Sequence, residues 1–475
     1  MAVSFRDPAG ALLSYEGRIL RLVNKQGEGD INAALASQAL RGFVDSGHVV
    51  KAWPLAQEGM RELLGDARLA DLVNNNQVSM VVEHERIPFQ SFPYEWPPEM
   101  LHRAARLTLD LGEAMLAEGR GLKDATPYNV LFRGPKPVFV DWLSFEPRDP
   151  ADSTWLPYAQ FARTFLLPLL VNKHFGLQLG PLLLQKRDGL EPEEVYRLSG
   201  WAKRLRLPFL TLATIPTHLG AKQGSDTTIY QRKTEENVEK ARFILEQQFK
   251  RLRRLLKRVE PDAASASAWA DYMGAKQHFT DEYLQRKEAF VKSALEEFKP
   301  EKVLDIGCNT GYFSGVAARA GARVVAIDQD PIVVGSVWRM AEAENLDVLP
   351  LVVDITRPSP GVGWRNEECL PFLDRARHQS DAVMMLAVIH HMLVSERIPL
   401  PEILELAAEL TENILIIEFV GTDDPMFQRI TRGREHLYAY LTREFFELNA
   451  HQHFNVLRSQ EIEPSRRWIY LLQRK

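Results

Sequence analysis

The reading of this chain turns on VLDIGCNTGYFSG, residues 303–315. A short apolar run ends in Asp305-Ile306-Gly307, a small polar loop follows, and Gly311 opens what reads as a helix. A glycine-rich turn between a strand and a helix is a place to hold a nucleotide. The dinucleotide fingerprint G-x-G-x-x-G needs its second glycine two residues after the first, so that backbone approaches a pyrophosphate. Here that slot is Asn309. Asp305, at the strand end, would repel a phosphate. The pattern suits a ligand that carries a cation.

Working outward, strands and helices alternate from Lys302 onward. VLDIG leads to a helix over 311–320, RVVAID (323–328) to a helix over 332–345, and VLPLVV (348–353) follows. Then come DAVMMLAV (381–388), a helix over 400–410, ILIIEFV (414–420), a helical 436–449, and two last strands, FNVLRS and RWIYLLQ. Such alternation predicts a mainly parallel seven-stranded sheet covered on both faces, with ligands at the carboxyl ends of the strands. Asp328 ends the second strand, about 20 residues past the first glycine, where an acid grips ribose hydroxyls. Asp354 follows the third strand, where a carboxylate accepts from an adenine amino group. S-adenosylmethionine fits these acids: it bears an ammonium and a sulfonium and no phosphate.

Residues 298–475 resemble the class I S-adenosylmethionine-dependent methyltransferases, which implies a Rossmann-like α/β/α domain. The resemblance implies a cofactor shell of Asp305, Gly307, Cys308, Asn309, Gly311, Tyr312, Asp328, Gln329, Asp354, Ile355 and Leu386. NTGYFS, PLVVDITRPSPGVGW, LAVIHHM and IIEFVGTDDPM, with FPYEW, LKDATPYNVLF and FVDWLSFE upstream, resemble bacterial two-part methyltransferases related to a host-specific nodulation protein.

Methyl transfer to a hydroxyl or a protonated amine is helped by a general base. His390 and His391 follow the fourth strand at the cofactor end of the sheet, and a histidine accepts a proton near neutral pH. A packed imidazole that shapes the pocket is the other reading. Glu418, ending the fifth strand, is the second candidate, against a carboxylate that caps a helix or pairs with Arg429 or Arg432. His451-x-His453 has no third ligand nearby in sequence and reads as a surface pair, so no metal site is expected. Trp364 either stacks on substrate or packs. Cys308 has no activating neighbour and reads as a small residue beneath the ligand.

The first half carries a second resemblance. Asp124-x4-Asn129 followed by Asp141 is similar to the catalytic loop and metal-binding acid of kinase-like phosphotransferases. That resemblance would imply magnesium ATP at Asp124, Asn129 and Asp141. The departures argue against it: Leu122 stands in the usual histidine position, and residues 1–95 hold neither a G-x-G-x-x-G loop nor a V-A-I-K-like lysine. An unrelated helical domain whose Asp and Asn cap a turn is the alternative.

Elsewhere, ALLSYEGRILRLV (11–23) reads as a hairpin turned at Glu16-Gly17, 31–46 as one amphipathic helix, and 99–119 as a helix. PFQSFPYEWPP (88–98) is a hinge or strap. Residues 233–259 form a long helix with an acidic start and a basic end, whose cluster KRLRRLLKR (250–258) reads as a solvated face of a domain-linking helix, with a local anion or nucleic-acid patch as the alternative. PDAASASA (261–268) is a plausible boundary. The apolar run 161–185 is interrupted by Arg163, Asn172, Lys173 and His174, so it reads as a buried helix broken near Pro168 rather than a membrane span.

The net charge of −5 argues against broad nucleic-acid binding, and two cysteines make no disulfide framework. With a polar N-terminus, MAVSFRDPAG, the chain reads as cytoplasmic. The expected organisation is a small α+β lobe (1–95), a largely helical kinase-like lobe (96–222), a helical linker (223–297) and the methyltransferase domain (298–475). The expected activity is methylation of a small-molecule or glycan-type acceptor, with the N-terminal half in acceptor recognition. The alternatives are an ATP-dependent bifunctional phosphotransferase/methyltransferase and a non-catalytic S-adenosylmethionine sensor.

Overall fold

The computed structural model describes residues 6–75, 77–222, 234–262, 281–463 and 465–475. They fall into two compact units, one of residues up to Tyr94 with Pro98–Asp262, the other of Glu95–Pro97 with the C-terminal residues to Lys475.

In the N-terminal unit, β1 (Gly10–Tyr15), β2 (Arg18–Asn24), β3 (Ala52–Pro54) and β4 (Val78–His84) form an antiparallel sheet in the order β1-β2-β4-β3. The β1–β2 hairpin turns at Glu16 and Gly17, with φ of 47° and 79°. Two positive φ values are what a two-residue turn needs to match strand twist. Leu13, Leu20, Leu22 and Val81 bury one face of this sheet with Leu63 and Leu69. Two small ladders follow: β5 (Arg120–Leu122) with β8 (Phe145–Pro147), and β6 (Val130–Arg133) with β7 (Lys136–Phe139).

Three sequence expectations change in this unit. The helix expected over 31–46 is two helices, Glu28–Ala36 and Gln38–Asp45. They break at Ser37, which is extended and accepts the Leu40 amide on its hydroxyl. A side-chain cap stabilises the new start, and a hydrophobic stripe does not register it. The helix expected to break near Pro168 runs on from Tyr158 to Phe175 through a π turn at Ala162–Leu166. Proline lacks an N–H and its ring crowds the carbonyl four residues back. The widened turn just before Pro168, where the Leu167 amide reaches Ala162, accommodates both problems. The long helix, Val238–Arg258, belongs to the N-terminal unit rather than to a linker. Its Phe249 ring lies over Gly112 of the helix Pro98–Leu116, where a Cβ would come within 3.3 Å. Arg253 of the basic cluster pairs with Asp110 at 2.7 Å and Glu113 at 2.6 Å. Residues 223–233 and 263–280 of the expected linker, and most of the boundary 261–268, lie outside the described residues.

The C-terminal unit is a seven-stranded sheet of β9 (Lys302–Ile306), β10 (Arg323–Asp328), β11 (Val348–Val352), β12 (Ser380–Met385), β13 (Thr411–Phe419), β14 (Phe454–Ile462) and β15 (Arg467–Arg474). The order is β11-β10-β9-β12-β13-β15-β14, and β15 alone runs against its neighbours. Central strands such as VLDI and ILIIEF are buried along their length because helices cover both faces. The chain moves outward from β9 to β11, then crosses to β12 on the other side of β9. The strand order reverses there, and a crevice opens at the carboxyl ends. The helical stretch expected at 436–449 is a short turn, Glu435–Tyr438, and a separate helix, Arg443–His453, started by Thr442. Of the strap, Glu95 is fully buried in this unit and ion-paired with Arg375. Among the described residues, no helix is long and apolar enough to cross a membrane.

Candidate functional site

Two glycines shape the loop after β9. Gly307 and Gly311 have φ of 74° and 83°. A Cβ on Gly307 would meet Val388 at 3.0 Å, and one on Gly311 would meet Val337 at 2.9 Å. Both therefore need glycine for conformation and for space. The amides of Gly307 and Cys308 donate to the Ile327 carbonyl at 2.9 and 3.0 Å, tying the loop to β10. Asp328 ties it a second time, accepting the Asn309 amide on Oδ2 at 3.0 Å and the Asp330 amide on Oδ1 at 3.0 Å. Asp354 is held by Thr356, which donates its amide at 2.9 Å and its hydroxyl at 2.6 Å.

These three strand ends face one cavity of about 280 Å³. All the residues of the expected cofactor shell line it except Gly311, which sits behind it as the cap of the helix Tyr312–Arg319. Asp305 is buried and accepts the Ser314 hydroxyl at 2.6 Å. Burial pushes its carboxyl up to about 6, with Ser314 and the charge of Lys287 pulling the other way. Burial also raises Asp328, against its backbone amides. Cys308 is buried and its thiol is pushed up by burial and by the two neighbouring acids, so it is no nucleophile.

The three candidate bases separate. His391 lines the cavity, and burial lowers its pKa, so it is a neutral imidazole. His390 is fully buried, does not line the cavity, and has no hydrogen-bond partner on either ring nitrogen. Its ring lies 4.1 Å from that of His391, centroid to centroid. Glu418 is also fully buried and outside the lining. It accepts the Tyr283 hydroxyl at 2.6 Å and the Lys287 ammonium at 2.5 Å, and pairs with Arg467 at 3.4 Å. Burial alone would raise its carboxyl, but Lys287 and Arg467 outweigh burial and hold it at about 2. A carboxylate held so low does not take protons. The expected partners Arg429 and Arg432 are replaced by Lys287 and Arg467, the latter also bonded to Asp424 at 2.8 Å.

The sequence reading passed over one whole wall. Tyr283, Leu284 and Lys287 project into the cavity from the helix Asp281–Phe298. Their spacing puts them on one face. A lysine within that buried face was the available signal. Val388, Met392, Ser395 and Glu396 also line the cavity.

Other singled-out residues lie elsewhere. Trp364 is 64% exposed, at the start of a short 3-10 turn, Trp364–Asn366. His451 and His453 end the helix Arg443–His453, and no group of three or more metal-ligating side chains occurs among the described residues. In the N-terminal unit Asp141 lies 3.0 Å from the Arg21 guanidinium. Asp124 accepts from Gln160 at 3.1 Å, and Asn129 donates to the Ser144 hydroxyl at 3.4 Å.

Comparison with known proteins agrees with this geometry. Residues 244–464 match the model of a methyltransferase domain family. Over 480 aligned residues the chain is 28% identical to the nodulation protein NoeA of Rhizobium meliloti (strain 1021), covering 100% of this chain and 96% of that protein. Among solved structures, the N-methyltransferase NodS from Bradyrhizobium japonicum WM9 aligns over 41% of this chain and 97% of its own, with 11% identity and a TM-score of 0.31. The bifunctional kinase-methyltransferase WbdD aligns over 41% of this chain and 40% of its own, with 20% identity and a TM-score of 0.29. The site geometry and the family match together identify a class I S-adenosylmethionine-dependent methyltransferase domain, joined to a structurally distinct N-terminal part in a chain that resembles bacterial two-part methyltransferases.

Proposed function

We propose that the cavity at the ends of β9, β10, β11 and β12 holds S-adenosylmethionine, and that His391 serves as general base toward a hydroxyl or amine of a small-molecule or glycan-type acceptor. The observation that carries this reading is the charge of the lining: Asp305, Asp328, Asp354 and Glu396 against one lysine, Lys287. Such a set suits a cationic nucleoside and repels a polyphosphate. In this reading Asp305 and the Gly307 loop face the amino-acid end, Asp328 the ribose, and Asp354 with Ile355 the adenine. Leu386 supplies an apolar wall.

The cofactor supplies an electrophilic methyl group, so the chain's own work is alignment and proton removal. Alignment of reacting groups is worth up to about 7–11 kcal/mol. A positioned base adds about 10²–10⁴-fold. His391 suits that task because burial keeps its imidazole neutral at physiological pH. Recognition of the acceptor by the N-terminal unit completes the reading. Arg21 already sits against Asp141, where a magnesium nucleotide would need a free carboxylate, which favours recognition over phosphotransfer.

Calorimetric titration with S-adenosylhomocysteine, followed by magnesium ATP, tests the assignment. Binding of the first that is lost in Asp328→Ala supports it. Binding of ATP alone overturns it. Transfer of labelled methyl from S-adenosylmethionine to a panel of saccharides and small hydroxylated or amino compounds then tests the acceptor class, with His391→Ala as the control.

A further inference from the structure

We infer that residues 197–207 of the N-terminal unit form a peripheral docking surface for an anionic lipid bilayer, with Trp201 and its flanking leucines entering the head-group layer and Arg197 and Arg206 meeting lipid phosphates. The inference does not depend on what the cavity of the C-terminal unit binds.

The stretch reads RLSGWAKRLRL. The helix Pro192–Leu198 ends in it, and a single turn, Trp201–Arg204, follows. Its base is packed. Val195, Phe209 and Leu212 are buried, and the Phe209 ring lies 5.1 Å from that of His174. The Thr214 hydroxyl donates to the Arg204 carbonyl at 2.8 Å. On this base the apolar side chains nonetheless stand in solvent. Trp201 is 79% exposed and Leu205 67%, with Leu198 and Leu207 half-exposed. The adjoining helix Ile215–Lys222 adds Ile215 and Leu219, both exposed. Single exposed apolar residues are ordinary, whereas a group of them marks a binding surface.

Charge decides what covers it. From Val195 to Leu219 the sequence holds Arg197, Lys203, Arg204 and Arg206 and no acid. The acids of the helix Pro192–Leu198 stand in its first turn, at the end away from Leu198. Lys203 and Arg204 meet neutral partners. Lys203 donates to the His174 carbonyl at 3.1 Å and lies over the Phe175 ring at 4.1 Å. Arg204 donates to the Tyr196 carbonyl at 3.1 Å and lies over the Tyr196 ring at 3.8 Å. Arg197 and Arg206 are exposed. A second copy of the chain is a poor occupant, because a two-fold contact would set these cations against themselves. Protein interfaces keep charge out of their apolar centre, but here cations alternate with leucines. Nucleic acid would leave the leucines unused. A bilayer surface takes both at once: tryptophan favours the head-group level, leucine the acyl boundary, and arginine reaches back to phosphate.

Co-sedimentation of the full chain with vesicles tests this. One set is phosphatidylcholine alone and the other is equal parts phosphatidylcholine and phosphatidylglycerol. The unaltered chain is expected to sediment with the mixed vesicles, less so as salt is raised, and hardly with phosphatidylcholine. Trp201→Ser with Leu205→Ser should weaken that binding at least about 10-fold while leaving the melting temperature unchanged. Arg197→Gln with Arg206→Gln should weaken it about 10-fold on mixed vesicles only. If the first pair does not fold, Trp201→Ser alone is read in the same way. No binding to mixed vesicles overturns the inference, as does binding that a folded Trp201 variant retains in full. Self-association that Trp201→Ser abolishes, without vesicle binding, would make the surface a contact between copies and overturn it too.

Discussion

Asp328 Oδ2 accepts the Asn309 amide at 3.0 Å, so the acid that ends β10 also holds the loop that follows β9. One side chain therefore shapes the floor of the cavity and supplies one of its charges. Asp328→Ala loses both functions, and affinity for S-adenosylhomocysteine is expected to fall at least about 10- to 100-fold. Asp328→Asn keeps one acceptor oxygen and is expected to lie between the two. Calorimetry on the three chains ranks them; equal losses in both variants would mean that charge matters and loop anchoring does not.

Asp305 gives the binding reaction a pH dependence. Its carboxyl titrates at about 6 in the folded chain, raised by burial. A ligand ammonium is met by the ionised form, so affinity is expected to be full above that value and to decline as pH falls through it. Ser314 pulls the carboxyl down through its hydroxyl hydrogen bond, so Ser314→Ala moves the midpoint upward. Asp305→Asn removes the step altogether. The profile of dissociation constant between pH 5 and about 8, the range where histidine is the other titrating group, separates this step from His391 when repeated with His391→Ala.

Glu418 makes a stability prediction with the same direction in pH, although its carboxyl is shifted the opposite way. Its folded carboxyl lies at about 2, below the ordinary 4.5. The stabilisation is present above 4.5 and is lost as pH falls from there toward about 2. By linkage it is worth on the order of 3 kcal/mol. Removing one partner of a buried ion pair costs about 3–5 kcal/mol. Glu418→Gln should therefore lower the urea midpoint at neutral pH and flatten its dependence on pH below 4.5. An unchanged slope would show that another carboxylate governs acid unfolding.

How much of this was legible in the sequence depends on how far apart the partners lie. Asp305, Asp328 and Asp354 each end or follow a strand of the same sheet, so an alternating pattern with three acids places them together without knowledge of tertiary contacts. The Lys287–Glu418 pair could not be read this way. Its members are 131 residues apart, and each looks ordinary within its own helix or strand. At a strand end Glu418 consequently reads either as a base or as a carboxylate paired with Arg429 or Arg432, and the structure makes it an ion-paired anion with Lys287 and Arg467 as the partners. Ser37 and Pro168 show the local version of the problem. Apolar periodicity runs through both, and a side-chain cap in one case and a π turn in the other decided whether the helix broke.

The two histidines are expected to part on mutation. His391 faces the cavity, and His391→Ala should lower kcat about 10²–10⁴-fold. Affinity for S-adenosylhomocysteine should change little. His390 is buried with both ring nitrogens unpaired. An apolar replacement of similar shape at such a site is close to neutral or stabilising. His390→Phe should keep most of its activity and should not lower the melting temperature. A loss of kcat in His390→Phe as large as in His391→Ala would make the two rings one catalytic unit.

Gly307 tests the loop itself, because its two requirements separate by mutation. Its φ is 74°, and an added Cβ would sit 3.0 Å from Val388 Cγ2. A non-glycine residue held in that backbone region costs about 1–3 kcal/mol, whatever the space around it. The close approach is a second cost, and it can be removed from the other side. Gly307→Ala is expected to weaken S-adenosylhomocysteine binding and lower the melting temperature. Adding Val388→Ala should recover the part due to crowding and leave the part due to φ. Full recovery would mean that space alone demands glycine at this turn. No recovery would mean that the backbone conformation does.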